Sequence, residues 1–327
     1  MTVQSGERVA ILGVGHSLPP TVRSNDDPIF DYLNANQPAG SDLFKGYKNR
    51  RVLAPGELLE DLMVKASFQA LENAGLLPRD IDLITGYESV SQFIEPNGLA
   101  AVHHKLEFPS HCIVIPINDE YTNSLSGMII ADSLIRTGRA CHALVVVGCN
   151  WTQYSNYTKP QAISSSDAAG AMVVSATTDK TRFGLVDYEI SVQRDGYGGM
   201  RMAAYPAGPY YTKPWSDIDD DGVTMFKNFA MTVPPMVVNN LLERNGITGA
   251  DITFIPYQAS TVLLDPWQAA IKPAQTIVSI EELANMTLAT VAVNFSRQYE
   301  SITKDWVCML GVGTQFQAIA ILLRRNA

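Results

Sequence analysis

Short apolar runs of strand length alternate with longer amphipathic runs along this chain of 327 residues, and the alternating pattern occurs twice. The short runs are rich in β-branched residues and bounded by turn residues, as strands are, whereas the longer runs repeat apolar residues at steps of three and four, as helices do. This alternation predicts an α/β fold with parallel sheets covered by helices on both faces. The repetition predicts two stacked, pseudo-equivalent halves, residues 1–180 and 181–327.

The predicted elements form two similar series. In the first half we expect strands at 9–14, 81–85, 112–117, 143–148, 171–176 and 185–192 (the last leading out of it) and helices at 57–74, 97–106 and 124–137. In the second half we expect helices at 224–245, 262–271 and 286–299 and strands at 252–256, 276–280, 306–310 and 315–323.

The stretch 195–221 is rich in Gly, Tyr and Pro and is predicted to connect the halves or to form a lid. It ends with four acidic residues, Asp217, Asp219, Asp220 and Asp221. No histidine or ordered carboxylate spacing accompanies them, so we predict a solvated acidic loop rather than a metal site.

The composition limits the partners and the environment of the chain. A net charge of −9 and the absence of a basic run argue against nucleic-acid binding. The N-terminal residues lack the pattern of a signal peptide, and no apolar run is long enough to span a membrane. Four cysteines without a CxxC pair fit a reducing compartment better than a disulfide framework or a zinc site. We therefore expect a cytoplasmic protein that contacts neither nucleic acid nor membrane.

The positions of the cysteines and histidines exclude one catalytic pair. The cysteines are Cys112, Cys141, Cys149 and Cys308, and the histidines are His16, His103, His104, His111 and His142. No histidine lies beyond position 142, so no cysteine can be paired with a histidine from the second half. The sequence gives no reason to expect a metal or another cofactor.

Seven short segments occur in the order and spacing of a known enzyme family. They are 11–15 with 18–19, 50–52, 70–75 with 80–84, 137–138 with 143–148, 167–171, 221–227 and 310–313. Together they resemble ketoacyl-ACP synthase III, a member of the thiolase superfamily. The resemblance implies a thiolase-like, five-layered α/β/α/β/α fold and an acyl-CoA or acyl carrier protein substrate. It also implies a dimer, either a homodimer or a heterodimer with a related synthase subunit.

Two glycines near the start of the chain invite a different reading. Gly13 and Gly15 follow apolar residues, as in a dinucleotide-binding fingerprint, but a third glycine and a downstream acid are absent. We therefore predict that they are turn residues.

The resemblance assigns three residues to the positions of the family's catalytic groups. Tyr121 falls where the family has its nucleophilic cysteine, at the N-terminus of the helix after the third strand. Tyr257, in Tyr-Gln-Ala-Ser, falls on the histidine of the family's His-Gln-Ala-Asn motif. Asn285 keeps the asparagine of its Gly-Asn-Thr motif, and the rival Asn294 leaves too short a run to Gly311.

These replacements change the chemistry that the resemblance implies. A phenol titrates near pH 10 and is a poor nucleophile without a base beside it, so an acyl-enzyme on cysteine is not expected. Phenol O–H groups, the Asn285 amide and the backbone N–H of Gly313 can instead polarise a carbonyl or stabilise an oxyanion. Val262 stands where the family usually has an arginine, which weakens the case for ordinary CoA binding.

Two alternatives to hydroxyl chemistry stay open. Tyr121 could fill the former acyl tunnel as a core residue whose O–H is satisfied. Asp119 or Glu120, beside it, could reach the pocket and act as a base. Charged residues next to a helix N-terminus are more often partners of the helix dipole, and we favour that reading for both.

The sequence therefore predicts a protein that handles acyl-thioester or polyketide-type intermediates, by acyl transfer, condensation or cyclisation without a cysteine acyl-enzyme. The alternative is a catalytically inactive partner subunit of a heteromeric condensing enzyme. We favour the enzyme because both replacements are hydrogen-bonding residues and Asn285 is kept.

Overall fold

The computed structural model describes residues 6–93, 95–119, 121–203, 206–207, 210–211, 215–218 and 220–326. The helices are α1 (Asp31–Asn36), α2 (Leu59–Ala74), α3 (Gly98–Lys105), α4 (Asn123–Arg136), α5 (Asp220–Arg244), α6 (Thr261–Ile271), α7 (Ile280–Leu283) and α8 (Thr290–Gln298). The strands are β1 (Arg8–Ser17), β2 (Thr21–Ser24), β3 (Asn49–Val52), β4 (Leu83–Glu88), β5 (Ile113–Pro116), β6 (His142–Cys149), β7 (Ala168–Thr177), β8 (Gly184–Val192), β9 (Met200–Ala203), β10 (Pro206–Ala207), β11 (Tyr210–Tyr211), β12 (Trp215–Ile218), β13 (Ile252–Pro256), β14 (Gln275–Thr276), β15 (Trp306–Gly313) and β16 (Gln317–Arg324).

Ten of these strands are hydrogen-bonded in the order β14-β13-β15-β16-β8-β1-β7-β6-β4-β5. At one end β5, β4 and β6 are parallel to one another, β7 is antiparallel to β6, and β1 is antiparallel to β7. At the other end β14, β13 and β15 are parallel, and β16 and β8 follow antiparallel. If the five strands of each set are numbered 1 to 5 in chain order, both sets have the spatial order 3-2-4-5-1. The predicted duplication of one topology is confirmed.

Two helices lie between these sets of strands. Helix α4 contacts β4, β6 and β7 of the first set and β8 and β16 of the second, and α8 contacts β1 and β7 of the first and β13 and β15 of the second. Helices α2 and α3 pack against the first set. Helix α5 packs against the second set, and α6 packs against α5. The predicted α/β/α/β/α layering is confirmed.

The two sets meet where Ala10 of β1 pairs with Gly184 of β8. The expected boundary between residues 180 and 181 falls in the connection from β7, which ends at Thr177, to β8. The division into domains 1–180 and 181–327 stays a prediction.

The central strands are buried on both faces. In β6 all residues after His142 are buried, and in β15 all residues after Trp306 are buried. Strands of this kind have helices above and below them, which is why both read as nearly continuous apolar runs in the sequence.

Gly13 and Gly15 lie inside β1, so the prediction of a turn was wrong. A Cβ on Gly13 would stand 2.1 Å from the carbonyl oxygen of Ala70, and a Cβ on Gly15 would stand 2.1 Å from that of Ala66. Both carbonyl groups belong to α2. The glycines therefore let the strand and the helix approach closely, a role that glycine serves in strands as well as in turns.

Two predicted elements of the second half differ from the observed ones. The strand expected at 276–280 is limited to β14, because the N–H of Ser279 donates to Oε1 of Gln258 across 3.0 Å and α7 begins at Ile280. The helix expected at 286–299 begins later, because a 3-10 turn at Thr287–Ala289 precedes α8.

The acidic end of the connector also differs from its prediction as a loop. Asp217 lies in strand β12, and helix α5 begins at Asp220, so Asp220 and Asp221 lie in a helix. Asp219 lies outside the described residues. Within the described ranges, no group of three His, Cys, Asp or Glu residues could hold a metal ion, and no helix has both the length and the apolar character to cross a bilayer.

Candidate active site

Three polar residues meet near the starts of the two central helices. Tyr257 directly follows β13, Asn285 lies between α7 and the turn before α8, and Tyr121 lies two residues before α4. Nδ2 of Asn285 donates to the phenol oxygen of Tyr257 across 2.9 Å. The rings of Tyr121 and Tyr257 are stacked, with centroids 5.8 Å apart and planes inclined by 15°. The structure thus brings Tyr121, Tyr257 and Asn285 together.

The backbone sets the orientation of the Asn285 amide. Its Oδ1 accepts from the N–H of Thr287 at 2.9 Å, so Nδ2 is the end that faces Tyr257. The Asn285 backbone is tied to a first-half segment, because its N–H donates to the Ser164 carbonyl at 2.8 Å and its carbonyl accepts from Ser166 at 3.1 Å. The Tyr257 oxygen is the acceptor of this hydrogen bond, and a phenol can accept and donate at the same oxygen.

Gln258 clamps the Tyr257 segment to the Asn285 segment. Its Nε2 donates to the carbonyl of Ala284 at 2.5 Å, and its Oε1 accepts from Nδ2 of Asn294 at 2.9 Å. Oδ1 of Asn294 accepts from the hydroxyl of Ser279 at 2.6 Å. Asn294 therefore supports the loop from behind, and Asn285 is the asparagine that contacts Tyr257.

Tyr121 has a backbone φ of +71°, in the left-handed region that few non-glycine residues adopt. The turn in front of α4 holds it there, since Thr122 donates to the Asp119 carbonyl through its N–H and its hydroxyl, at 2.9 and 2.8 Å. Strand β15 passes close by: a Cβ on Gly311 would stand 3.1 Å from Cγ2 of Thr122. The Tyr121 ring also meets Trp151 edge-on, with centroids 5.8 Å apart.

The carboxylate of Asp119 is used to hold this turn. Its Oδ1 accepts from the side-chain amides of Gln315 and Gln317 at 2.9 and 2.8 Å, and its Oδ2 accepts from the hydroxyl of Ser126. Asp119 is not among the residues that line the cavity beside Tyr121. Glu120, which the sequence analysis considered together with Asp119 as a base, lies outside the described residues.

Gly313 lies at the edge of the site. It is the last residue of β15, where it pairs with Gln317, and the next residue, Thr314, lines the cavity. Its predicted role as an oxyanion donor stays a prediction.

A cavity of about 50 Å³ opens beside the two tyrosine rings. A water molecule needs about 10–15 Å³ on this measure, so the cavity has room for roughly four water-sized groups. The residues that line it are aromatic, amide or hydroxyl residues for the most part: Phe44, Tyr121, Trp151, Gln161, Ser164, Ser165, Met200, Arg201, Phe226, Tyr257, Ala259, Asn285, Thr287 and Thr314. Among the lining residues within the described part of the chain there is no Cys, His, Asp, Glu or Lys, and Arg201 is the one that carries a charge.

Tyr47 supports the segment that carries Tyr257. Its hydroxyl donates to the carbonyl of Ala259. Burial, and then the neighbouring Tyr257 phenol, raises the pKa of Tyr47 well above its ordinary value, against the hydrogen bonds of Ser164 and Ser260. Tyr47 is thus a neutral hydrogen-bond donor behind the cavity wall.

The described thiols lie outside this cavity. Cys149 contacts one of the lining residues: its sulfur accepts from the hydroxyl of Thr287 at 3.0 Å and lies 3.2 Å from the Ser166 carbonyl. Burial, and then the nearby Asp167 carboxylate, raises the pKa of Cys149 to about 12. At neutral pH it is a thiol, which is a weak nucleophile.

Sequence reasoning missed several residues of the site. Trp151 and Gln161 on the wall belong to no motif, and Gln258 behind it lies in the Tyr-Gln-Ala-Ser motif but was given no role of its own. Trp151 had one usable signal, since it follows the buried strand β6 by two residues and ligand sites gather at the carboxyl ends of parallel strands. Gln161 had none, because the 3-10 turn Pro160–Ser164 that places it is remote in sequence from Tyr121 and Tyr257.

Comparison with known proteins finds similar sequences and similar folds. The family model of 3-oxoacyl-[acyl-carrier-protein (ACP)] synthase III matches residues 117–193. The β-ketoacyl-[acyl-carrier-protein] synthase III 2 of Streptomyces avermitilis is 27% identical over 317 residues, which span 94% of this chain and 96% of that protein. The crystal structure of a priming β-ketosynthase from a polyketide biosynthetic pathway matches with a TM-score of 0.85 at 22% identity, over 98% of this chain and 97% of that one. The 3-oxoacyl-[acyl-carrier-protein] synthase III of Aquifex aeolicus matches with a TM-score of 0.83 at 21% identity, over 97% and 99%.

The fold is thiolase-like, and beside its two central helices lies a cavity whose described wall consists mainly of aromatic, amide and hydroxyl side chains. In sequence the chain is similar to proteins named β-ketoacyl-[acyl-carrier-protein] synthase III.

Proposed function

We propose that this chain binds an acyl thioester or a polyketide-type intermediate beside Tyr257 and promotes acyl transfer, condensation or cyclisation without forming an acyl-cysteine. In this proposal Tyr121 and Tyr257 occupy the positions of the family's cysteine and histidine, and Asn285 that of its asparagine. The acyl donor is a CoA or carrier-protein thioester, as the names of the relatives suggest. The observation that carries the proposal is the Asn285–Tyr257 hydrogen bond on the wall of a cavity.

That hydrogen bond makes Tyr257 a better donor. A hydroxyl whose oxygen accepts a hydrogen bond is polarised and donates more strongly through its own O–H. A thioester carbonyl within reach of this O–H gains negative charge on its oxygen when a nucleophile attacks, and a preorganised donor stabilises that charge. In cyclisation a hydroxyl group of the substrate attacks the thioester carbon, and in condensation a substrate carbon that loses CO2 attacks it. The C–S bond breaks in both cases, and the departing thiolate takes up the hydroxyl proton or a proton from solvent. The chain itself need not supply the nucleophile.

The charge of the cavity wall supports the same chemistry. Among the lining residues that the structure describes there is no carboxylate, and Arg201 adds a positive charge. A developing oxyanion would therefore meet donors and a cation on this described part of the wall. The left-handed backbone of Tyr121 also fits a functional residue, because strained conformations of this kind cluster at active sites.

The size of the cavity favours a second candidate. A volume of about 50 Å³ is small for an acyl chain, and the rings of Tyr121 and Tyr257 occupy the space beside it. A catalytically inactive partner subunit of a heteromeric condensing enzyme would need no open cavity.

One experiment separates the two candidates. The purified chain is incubated with acyl-CoA and with acyl carrier protein thioesters, and thiol release, products and intact protein mass are measured. We expect turnover by the chain alone, with no mass increase on the protein. No turnover alone, combined with stimulation of an intact relative by this chain, would contradict the enzyme and support the partner subunit.

A further inference from the structure

Gln161 presents an unpaired amide at the cavity wall. Its Nε2 and Oε1 are both buried and have no hydrogen-bond partner among the described residues. Gln161 lines the same cavity as Tyr257 and Asn285. Burying an amide costs free energy unless its donor and its acceptor are paired, and native interiors pair nearly all such groups. This side chain therefore marks a place where a bound molecule offers both an acceptor and a donor.

The indole of Trp151 adds a second donor to the same wall. Trp151 is 3% exposed, and its Nε1 is buried without a partner among the described residues. Two neighbouring hydroxyls have partners: Ser164 donates to the carbonyl of Gln161 at 2.7 Å, and Ser165 is 2.6 Å from the hydroxyl of Ser155. The wall thus offers the amide N–H and the indole N–H as donors and the amide oxygen as an acceptor.

The volume of the cavity limits what can use these groups. With room for roughly four water-sized groups, it takes a few heavy atoms beyond a carbonyl and excludes a long hydrocarbon tail. A short alkyl chain would fit the volume but would leave the Gln161 amide buried and unpaired.

We infer that the acyl group taken by this site is short and polar, with a hydroxyl or amide substituent that pairs with Gln161 and accepts from Trp151. The inference rests on the proposed function, because it takes the thioester carbonyl to lie beside Tyr257. A hydroxyl or amide both donates and accepts, as Gln161 requires. A carboxylate substituent accepts only, so it would leave the amide oxygen of Gln161 unpaired and would be recognised by Arg201 instead.

The binding test uses three thioesters with four-carbon acyl chains. We expect 3-hydroxybutyryl-CoA to bind about tenfold to a hundredfold more tightly than butyryl-CoA in isothermal titration calorimetry, because the second ligand leaves buried polar groups unpaired. Equal affinities would mean that water pairs with the amide and would overturn the inference while leaving the proposed function intact. Tighter binding of succinyl-CoA would assign recognition to Arg201 and would also overturn it. If none of the three binds, the proposed function fails first and the inference with it.

A variant distinguishes recognition from a structural role. Gln161→Met keeps the side-chain length and removes both polar atoms. We expect it to abolish the preference for 3-hydroxybutyryl-CoA over butyryl-CoA, with a melting temperature of the unliganded protein that is unchanged or higher, because an unpaired buried amide is removed. Gln268→Met, on α6 and away from the cavity lining, is the matched control and should keep the preference. A lower melting temperature of Gln161→Met with the preference retained would show that the amide serves the fold alone.

Discussion

The side chains of Asn285 and Tyr257 are joined by a hydrogen bond of 2.9 Å whose direction is set by the main chain. The N–H of Thr287 occupies Oδ1 of Asn285, so the amide nitrogen faces the phenol. Gln258 fixes the spacing of the two segments through the carbonyl of Ala284. The loop that carries Asn285 therefore fixes the direction of this hydrogen bond, in which the Tyr257 oxygen is the acceptor.

Tyr257→Phe removes one O–H and keeps the ring. We expect kcat/KM for the thioester to fall by about 10²–10³, the usual cost of losing a preorganised oxyanion donor. The free energy of unfolding should fall by only about 1 kcal/mol, the net contribution of one hydrogen bond. Thiol-release kinetics and urea denaturation measure the two effects. Tyr188→Phe on β8, where the ring is half-exposed, is the matched control. Full activity of the Tyr121→Phe, Tyr257→Phe double variant would remove the hydroxyls from the mechanism.

Asn285→Asp tests the direction of the hydrogen bond. A carboxylate can accept from Thr287, as the amide oxygen does, but it turns an acceptor towards the Tyr257 oxygen. The phenol would then donate to Asp and would lose its O–H as a donor to substrate. We expect kcat to fall by about 10² or more while the circular dichroism spectrum is unchanged. Activity within about twofold of the unaltered protein would show that the phenol proton is not used.

We expect that none of the four cysteines takes part in catalysis. Burial raises the pKa of Cys112 to about 11, with a contribution from Asp82, and raises the pKa of Cys149 and of Cys308 to about 12. Cys141 is exposed. We expect iodoacetamide to label Cys141 in the folded protein without loss of activity, and acyl-CoA to leave no thioester, as measured by peptide mass mapping. An acyl group mapped to any of the four cysteines would contradict the proposed chemistry.

Glu88 makes stability depend on pH. Its carboxyl group, at the end of β4, is 2% exposed and lies so close to the start of α3 that a Cβ on Gly98 would stand 2.0 Å away. Burial raises the pKa of Glu88 to about 7 from 4.5, the Glu60 charge adds to this, and the hydrogen bond from Ser91 opposes it. The pKa of Glu88 is higher in the folded protein than in the unfolded chain. The contribution of Glu88 to the free energy of unfolding is therefore complete below about pH 4.5 and is lost as the pH rises through about 7.

The substitution Glu88→Gln should remove this loss of stability at high pH. We expect the variant to gain on the order of 2–3 kcal/mol over the unaltered protein near pH 8.5, and almost nothing near pH 4.5, in urea denaturation. Glu72→Gln, on the exposed side of α2, is the matched control. An equal gain at both pH values would show that Glu88 does not titrate between them.

The chain should form a dimer. Strand β5 is the outermost strand of its set, and the side chain of Ile113 at its start is 51% exposed. An uncovered apolar strand edge invites pairing with another chain. We expect sedimentation velocity at micromolar concentration to show a dimer of this chain, or a heterodimer when a related subunit is present. A stable monomer under both conditions would refute this expectation.

The sequence allowed the layers and the order of elements to be predicted because strand and helix periodicities persist over long runs, as in β6 and α2. The positions of Tyr121, Tyr257 and Asn285 followed from short motifs beside those runs. Side-chain partners did not follow: Asp119 is held by Gln315 and Gln317, which come from the opposite end of the chain. Contacts of that kind depend on how the helices and sheets pack, which no local pattern records.

The pairing of Ala10 with Gly184 has a consequence for the site. Tyr121 belongs to the first half of the chain and Tyr257 and Asn285 to the second, so these three side chains meet where the two halves pack together. Helices α4 and α8 contact strands of both sets, and one hydrophobic core cluster contains residues of both halves. The distance between the two tyrosine rings is therefore set by the packing of the whole core, so a core substitution far from the rings can move them apart.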